Sequence, residues 1–267
     1  MLVRHAATLA TALALAGCAS APPEEPTPVV LAGADLRLPL DEYLLSPDQL
    51  NDLGRARVVL TRECMREAGF DYPPEGERVD VGLRGWNERR YGITDEATAA
   101  VDGYGVGESA PVGSRTEPTP EERVALEGAG GCIERVEDGQ RRSRRPGLDR
   151  ELALRLAGES FTRSREAPRV RAVVEAWSAC VRARGFDYPD PLAPSSDARF
   201  AGPATPDELA VAAADLACKE ETNLVGVWFD EERSIQRDLV AANRAALAEV
   251  REANAADVEQ ARRSLGP

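Results

Sequence analysis

The sequence predicts a mostly α-helical fold: two related helical modules, each stapled by a disulfide, followed by a long C-terminal helix. Three observations carry that expectation: a cysteine-bearing segment occurs twice, the same helix start and stop signals recur in both copies, and strand-favouring residues are scarce. The 267 residues include only three Ile (Ile93, Ile133 and Ile235), and aromatics are 5%. β-branched and aromatic side chains are the ones a pleated sheet packs best, so their scarcity counts against a β-rich fold. With 43% hydrophobic and 30% charged residues the chain can bury a core. Its formal charge, 33 − 46 = −13, repels phosphates and argues against a nucleic-acid partner.

Arg4 is followed by an apolar run from Ala6 to Leu15. Such a run is too short for a bilayer, which needs roughly 20 residues, but it suits the apolar region of a secretory signal. The run closes Leu15-Ala16-Gly17-Cys18, which resembles the lipobox of bacterial lipoproteins. In that family a signal peptidase cuts before the cysteine, whose thiol carries a diacylglyceryl group. The resemblance implies a signal peptide over 1–17, lipidation at Cys18 and a cell-membrane anchor on the extracytoplasmic face. Two acyl chains anchor stably where one is marginal. The other reading is an ordinary secretion signal with an incidental cysteine. Residues 18–37 then form a tether. Its Ser20-to-Pro28 stretch holds prolines that favour an extended polyproline II spacer of about 3.1 Å per residue.

Module 1 (38–147) and module 2 (148–227) share two elements at matched spacing. Cys64 and Cys180 each open a C-x4-G-F-D-Y-P segment, ending at Pro73 and Pro189, offset by 180 − 64 = 116. Thr119-Pro120-Glu121-Glu122 precedes Cys132, and Thr205-Pro206-Asp207-Glu208 precedes Cys218, both by 13 residues and offset by 205 − 119 = 86. Two such coincidences indicate an internal duplication. The first copy is longer between its elements by 116 − 86 = 30 residues.

Each element has a local structural meaning. Ser46-Pro47-Asp48-Gln49 opens the first helix with a capping box. Gly69 and Gly185 suit the left-handed position after a helix, with Phe70 and Phe186 folding back one turn. Tyr72 and Tyr188, each before a proline, are pushed to extended backbone. Thr119 and Thr205 read as N-caps, with Pro at the first helical position and Glu122 or Glu208 completing a capping box. Each module is therefore a helix, a stop, a connection and a second helix carrying a cysteine. Residues 148–164 and 166–184 read as helices, with Pro168 tolerated in a first turn. An Ala-rich helix is expected over 228–267, with a thin stripe of Ile235, Leu239, Ala242, Ala246 and Val250. Such a stripe suits docking on the same protein, or alternatively a partner or coiled-coil face.

With Cys18 assigned to lipid, Cys64, Cys132, Cys180 and Cys218 are an even set for an oxidising compartment. The duplication favours Cys64–Cys132 and Cys180–Cys218, one staple per module, each worth roughly 4 kcal/mol in the chain-entropy model. A metal site with four thiolates is the rival, but none of the four forms a C-x2-C pair.

The lipobox, the two C-x4-G-F-D-Y-P segments and the run Cys218-Lys219-Glu220-Glu221-Thr222-Asn223-Leu224-Val225-Gly226-Val227-Trp228 together resemble a group of uncharacterised actinomycete secreted lipoproteins. The resemblance extends over most of the chain from about Leu38. It implies a compartment and an organisation, and no settled activity.

Little catalytic chemistry fits the composition. The only His is His5, inside the signal segment, which removes Ser-His-Asp, Cys-His and His-zinc mechanisms from the mature chain. Lys219 is the only Lys; beside Glu220 and Glu221 it is expected to be a solvated ion-pairing residue rather than a Schiff-base nucleophile. A carboxylate pair for hydrolysis is the surviving enzyme class, and no cofactor or metal is implied. The repeated Asp71 and Asp187 read as turn residues rather than ligands. Arg141 to Arg145 is a basic run for anionic lipid or wall polymer, or else a solvated loop.

The insert from Gly76 to Pro118 is Gly-rich and contains Trp86, Arg89, Arg90, Tyr91 and Tyr104. Aromatics and Arg on a long loop are the material of binding hot spots; the alternative is a small apolar cluster under the loop. The expected function is a non-enzymatic interaction or accessory lipoprotein of the cell envelope or a transport system, with these five residues facing an envelope protein partner. Capture of a small ligand for delivery to a transporter is the second reading, and a carboxylate-dependent hydrolase the third.

Overall fold

In the computed structural model the described residues are 36–72, 85–105, 118–143 and 146–266. The expected signal segment 1–17, Cys18 and the expected tether as far as residue 35 lie outside them, as does much of the insert. The fold is mostly α, and among the described residues there is no strand, only an isolated bridge between Arg90 and Gly92. Both expected disulfides are present, Cys64–Cys132 and Cys180–Cys218, each with Cα atoms 5.7 Å apart. The four-thiolate alternative therefore does not form.

Helix α1 (Pro47–Glu67) opens on Ser46, whose side chain accepts from the Gln49 N–H while Gln49 reaches back. It closes at Gly69, φ +90°, with the Phe70 N–H on Met65 O at 2.9 Å and the Gly69 N–H on Arg66 O at 3.1 Å. Helix α6 (Pro168–Ala183) closes in the same way. Gly185 is at φ +92°, with the Phe186 N–H on Val181 O at 3.0 Å and the Gly185 N–H on Arg182 O at 3.0 Å. These paired bonds satisfy carbonyls that a helix end leaves open. The duplicated sequence thus builds a duplicated helix stop.

The second elements diverge. In module 1, α3 (Pro120–Glu127) ends at Gly128 and α4 (Cys132–Ser143) begins afresh at Cys132. One continuous helix was expected there, but Gly128-Ala129-Gly130-Gly131 interrupts it, with Gly130 at φ +72°. Glycine is a poor helix former, and three within four residues end the helix. In module 2 the same positions (128 + 86 = 214 to 131 + 86 = 217) read Ala-Asp-Leu-Ala, and α7 (Pro206–Thr222) runs unbroken through Cys218.

The C-terminal region also differs from the single helix expected from Trp228. Helix α8 (Leu224–Ala242) begins earlier, and Asn243 separates it from α9 (Arg244–Leu265). The Asn243 N–H donates to Leu239 O at 3.1 Å and its side-chain amide donates to the same carbonyl at 2.8 Å, capping α8. The break changes the stripe: Leu239, Leu247 and Val250 are buried, while Ala242 and Ala246 are exposed. That face docks on the same protein, α9 packing along α1 and against α5 (Leu152–Glu166).

The main core gathers Trp177 and Val181 of α6, Val211 and Ala212 of α7, and Trp228 and Phe229 of α8 around Tyr91 and Ile93 of the insert. Helix α2 (Glu96–Asp102), also from the module 1 insert, packs on α7 of module 2. A smaller cluster surrounds Cys64 and Cys132 with Met65 and Leu126. No described helix is long and apolar enough to cross a membrane.

Candidate functional site

The inner face of α7 carries Glu208, Asp215 and Lys219, seven and four residues apart and so on one side of the helix. All three are buried. The insert supplies their partners. The Tyr104 N–H donates to Glu208 Oε1 at 2.9 Å, and the Tyr104 hydroxyl to Asp215 Oδ2 at 3.2 Å. Trp177 Nε1 donates to Asp215 Oδ1 at 2.9 Å, and Lys219 Nζ to Asp215 Oδ2 at 3.0 Å and Ile93 O at 2.8 Å. Loss of solvent pushes the Asp215 carboxyl up, against the pull of Lys219, Trp177 and Tyr104. The same burial pulls the Lys219 ammonium down, against the hold of Asp215.

Lys219 corrects an expectation. It is ion-paired as foreseen, but only 4% exposed rather than solvated. The reason is that the insert lies across it: a Cβ at Gly92, φ +82°, would sit 2.7 Å from Lys219 Nζ. Glu208 corrects another. Thr205 caps α7 by accepting from the Glu208 N–H, but the Glu208 carboxylate goes to Tyr104 instead of back to the cap, so only half the box forms.

A second buried cluster centres on Glu232 of α8, which accepts from Arg90 Nε at 3.0 and 2.9 Å, Tyr91 hydroxyl at 2.9 Å, Ser160 Oγ at 2.7 Å and Gln236 Nε2 at 3.3 Å. Arg90 also reaches Ala157 O at 2.6 Å. Both Asp215 and Glu232 are saturated with donors and shut off from water. Neither is open to a substrate as a general acid or base.

The five insert residues do not assemble into one surface. Tyr91 is 0% and Tyr104 8% exposed, and Arg90 is committed to Glu232, so these three are parts of the core rather than a partner face. Their hydroxyls and guanidinium find partners inside, which lets amphipathic side chains be buried. Trp86 remains 39% exposed, its indole N–H on Leu45 O at 2.7 Å, and Arg89 donates to Gly105 O at 2.5 Å. Asp187 is exposed and pairs with Arg182 at 3.2 Å rather than closing a turn, and Asp71 is exposed. Of the basic run, the described side chain is Arg141, held by Asp138 and Glu137.

Along the flank of α7 lies a groove of about 380 Å³, walled by α2 and α7, floored near the start of α8 and touched by Lys219. Ala99, Ala100, Leu209, Ala213, Leu216 and Val225 form its apolar stretch, and Thr94, Glu96 and Glu220 its polar end. Sequence reasoning missed this groove and the buried acids. The acids had a legible signal, three ionisable residues at helical spacing on a face that also carries Val211, Ala212 and Cys218. Among the described residues no group of three or more His, Cys, Asp or Glu is placed to hold a metal ion. Comparison with protein-family models, with curated proteins and with solved structures finds no match to this chain.

Proposed function

We propose that the protein is a lipid-anchored, extracytoplasmic ligand-capture protein, a non-enzymatic accessory of the cell envelope that holds a small molecule in the α2–α7 groove. The observation carrying this reading is the groove, whose volume of about 380 Å³ falls in the range typical of small-molecule sites. Its walls are set by the fold: the Cys180–Cys218 bridge ties α7 to α6, and the Tyr104 contacts tie the insert to α7. A site ordered on folding loses less freedom on binding. The lipobox resemblance at Cys18 supports the anchor, and delivery to a membrane transporter is the role that an anchor and a capture site together suit. Docking to an envelope protein keeps one observation in its favour, the exposed Trp86 beside Arg89.

The test is thermal denaturation of the mature protein in fractionated extracts of small molecules. A capture protein gains stability from its ligand, about 2.7 kcal/mol at a hundredfold excess over Kd. At least one fraction is expected to raise Tm, and Ala213→Trp, which fills the groove from an exposed position, is expected to abolish the rise. No response to any fraction, with in-cell crosslinks to one protein that are lost in Trp86→Ala, would replace capture by docking.

A further inference from the structure

The two ends of the α2–α7 groove differ chemically. The insert runs antiparallel to α7, because Gly92 abuts Lys219 while Tyr104 meets Glu208. Thr94 and Glu96, at the start of α2, therefore lie toward Glu220 in the last turns of α7. Leu209 and Ala213 lie toward the other end. Eleven residues separate Leu209 from Glu220, roughly 16 Å of helix.

Glu96 and Glu220 are both exposed, and neither has an ion-pair or hydrogen-bond partner for its carboxylate among the described residues. Glu221, one position on, pairs with Arg184 at 3.0 Å. The one basic side chain lining the groove, Lys219, is already held by Asp215 and the Ile93 carbonyl. An acidic mouth thus opens onto an apolar trough.

Resting on the capture reading above, we infer that this groove selects an amphipathic organic cation, an ammonium group carrying a short apolar chain. The ammonium sits between Glu96 and Glu220, and the chain lies along Ala213 toward Leu209. A carboxylate of the same length meets like charge at the mouth. A neutral alcohol gains the apolar contact alone.

Isothermal titration of the full mature protein with hexylammonium, hexanol and hexanoate tests the inference. Hexylammonium is expected to bind about tenfold more tightly than hexanol, the scale of two partly exposed charge contacts, and hexanoate not to bind. In the double variant Glu96→Gln, Glu220→Gln the two binders are expected to converge on the affinity of hexanol; both changes lie on the surface, and the unchanged hexanol affinity reports an intact groove. Equal affinities for hexylammonium and hexanol in the unaltered protein overturn the cation inference and leave the capture reading standing. If none of the three binds while an extract fraction still raises Tm, the cation inference is again overturned and capture stands. If neither occurs, both fall.

Discussion

Water is shut out from the charges on the inner face of α7. Lys219 and Asp215 are 4% and 1% exposed, and Tyr104 and Trp177 donate to the same carboxylate. Breaking such a pair leaves a charge buried without compensation, at a cost of about 3–5 kcal/mol. Lys219→Met is expected to lose stability on that scale in urea denaturation, and the further change Asp215→Asn to recover part of it. A loss below about 1 kcal/mol, the range of exposed pairs, would contradict the burial argument. The i,i+4 spacing of Asp215 and Lys219 is legible in the sequence. Their burial is not, because the cover comes from Ile93 and Tyr104, separated from them by 126 and 111 residues.

Among the elements, the connection after α6 shows how a short segment is held. The Tyr188 hydroxyl donates to Asp197 Oδ2 at 2.8 Å, and Arg199 reaches both at 2.9 and 2.6 Å. The Arg199 hydrogen bonds hold the Asp197 carboxyl well below the usual carboxylate range, aided by the Arg199 backbone N–H and the Tyr188 hydroxyl. A depressed folded value means the stabilisation is fully present above the ordinary Asp value of about 3.9 and is lost as pH falls through the folded one. The Tm gap between the unaltered protein and Asp197→Asn is therefore expected to hold near neutrality and to close as pH falls below about 4. A gap constant down to strongly acidic pH would show that the carboxylate charge plays no part. Motif spacing exposes the duplicated helix stops, since Gly69 and Gly185 answer to local backbone geometry. It does not expose the divergence at Gly128, which matters for the site. An unbroken α7 is what keeps Glu208, Asp215 and Lys219 on a single inner face, with the groove along its flank.

Across the whole molecule, the insert of module 1 closes over module 2, and α8 and α9 tie both modules together through α5, α6 and α1. The groove is thus a joint product of both copies rather than a property of either. The tether is expected to carry this assembly on Cys18. Cys18→Ala is expected to release the protein from membranes or to leave it unprocessed, read by fractionation and intact mass. Unchanged retention and size would remove the anchor from the proposal.

Local chemistry wrote much of this protein into its sequence. The helical class, the caps at Ser46 and Thr119 and the stops at Gly69 and Gly185 follow from composition, φ angle and backbone hydrogen bonding within a few residues, and the duplication and the two disulfide pairings from the repeated motif spacing. The tertiary structure alone decided that Tyr91, Tyr104 and Arg90 belong to the core, that Glu208 abandons its cap for Tyr104, and that α2 and α7 leave a groove between them. Each of those outcomes depends on side chains meeting across long separations, 142 residues for Arg90 and Glu232 and 104 for Tyr104 and Glu208. A polar side chain in an insert is equally suited to water or to a buried partner. Only the arrival of that partner settles which.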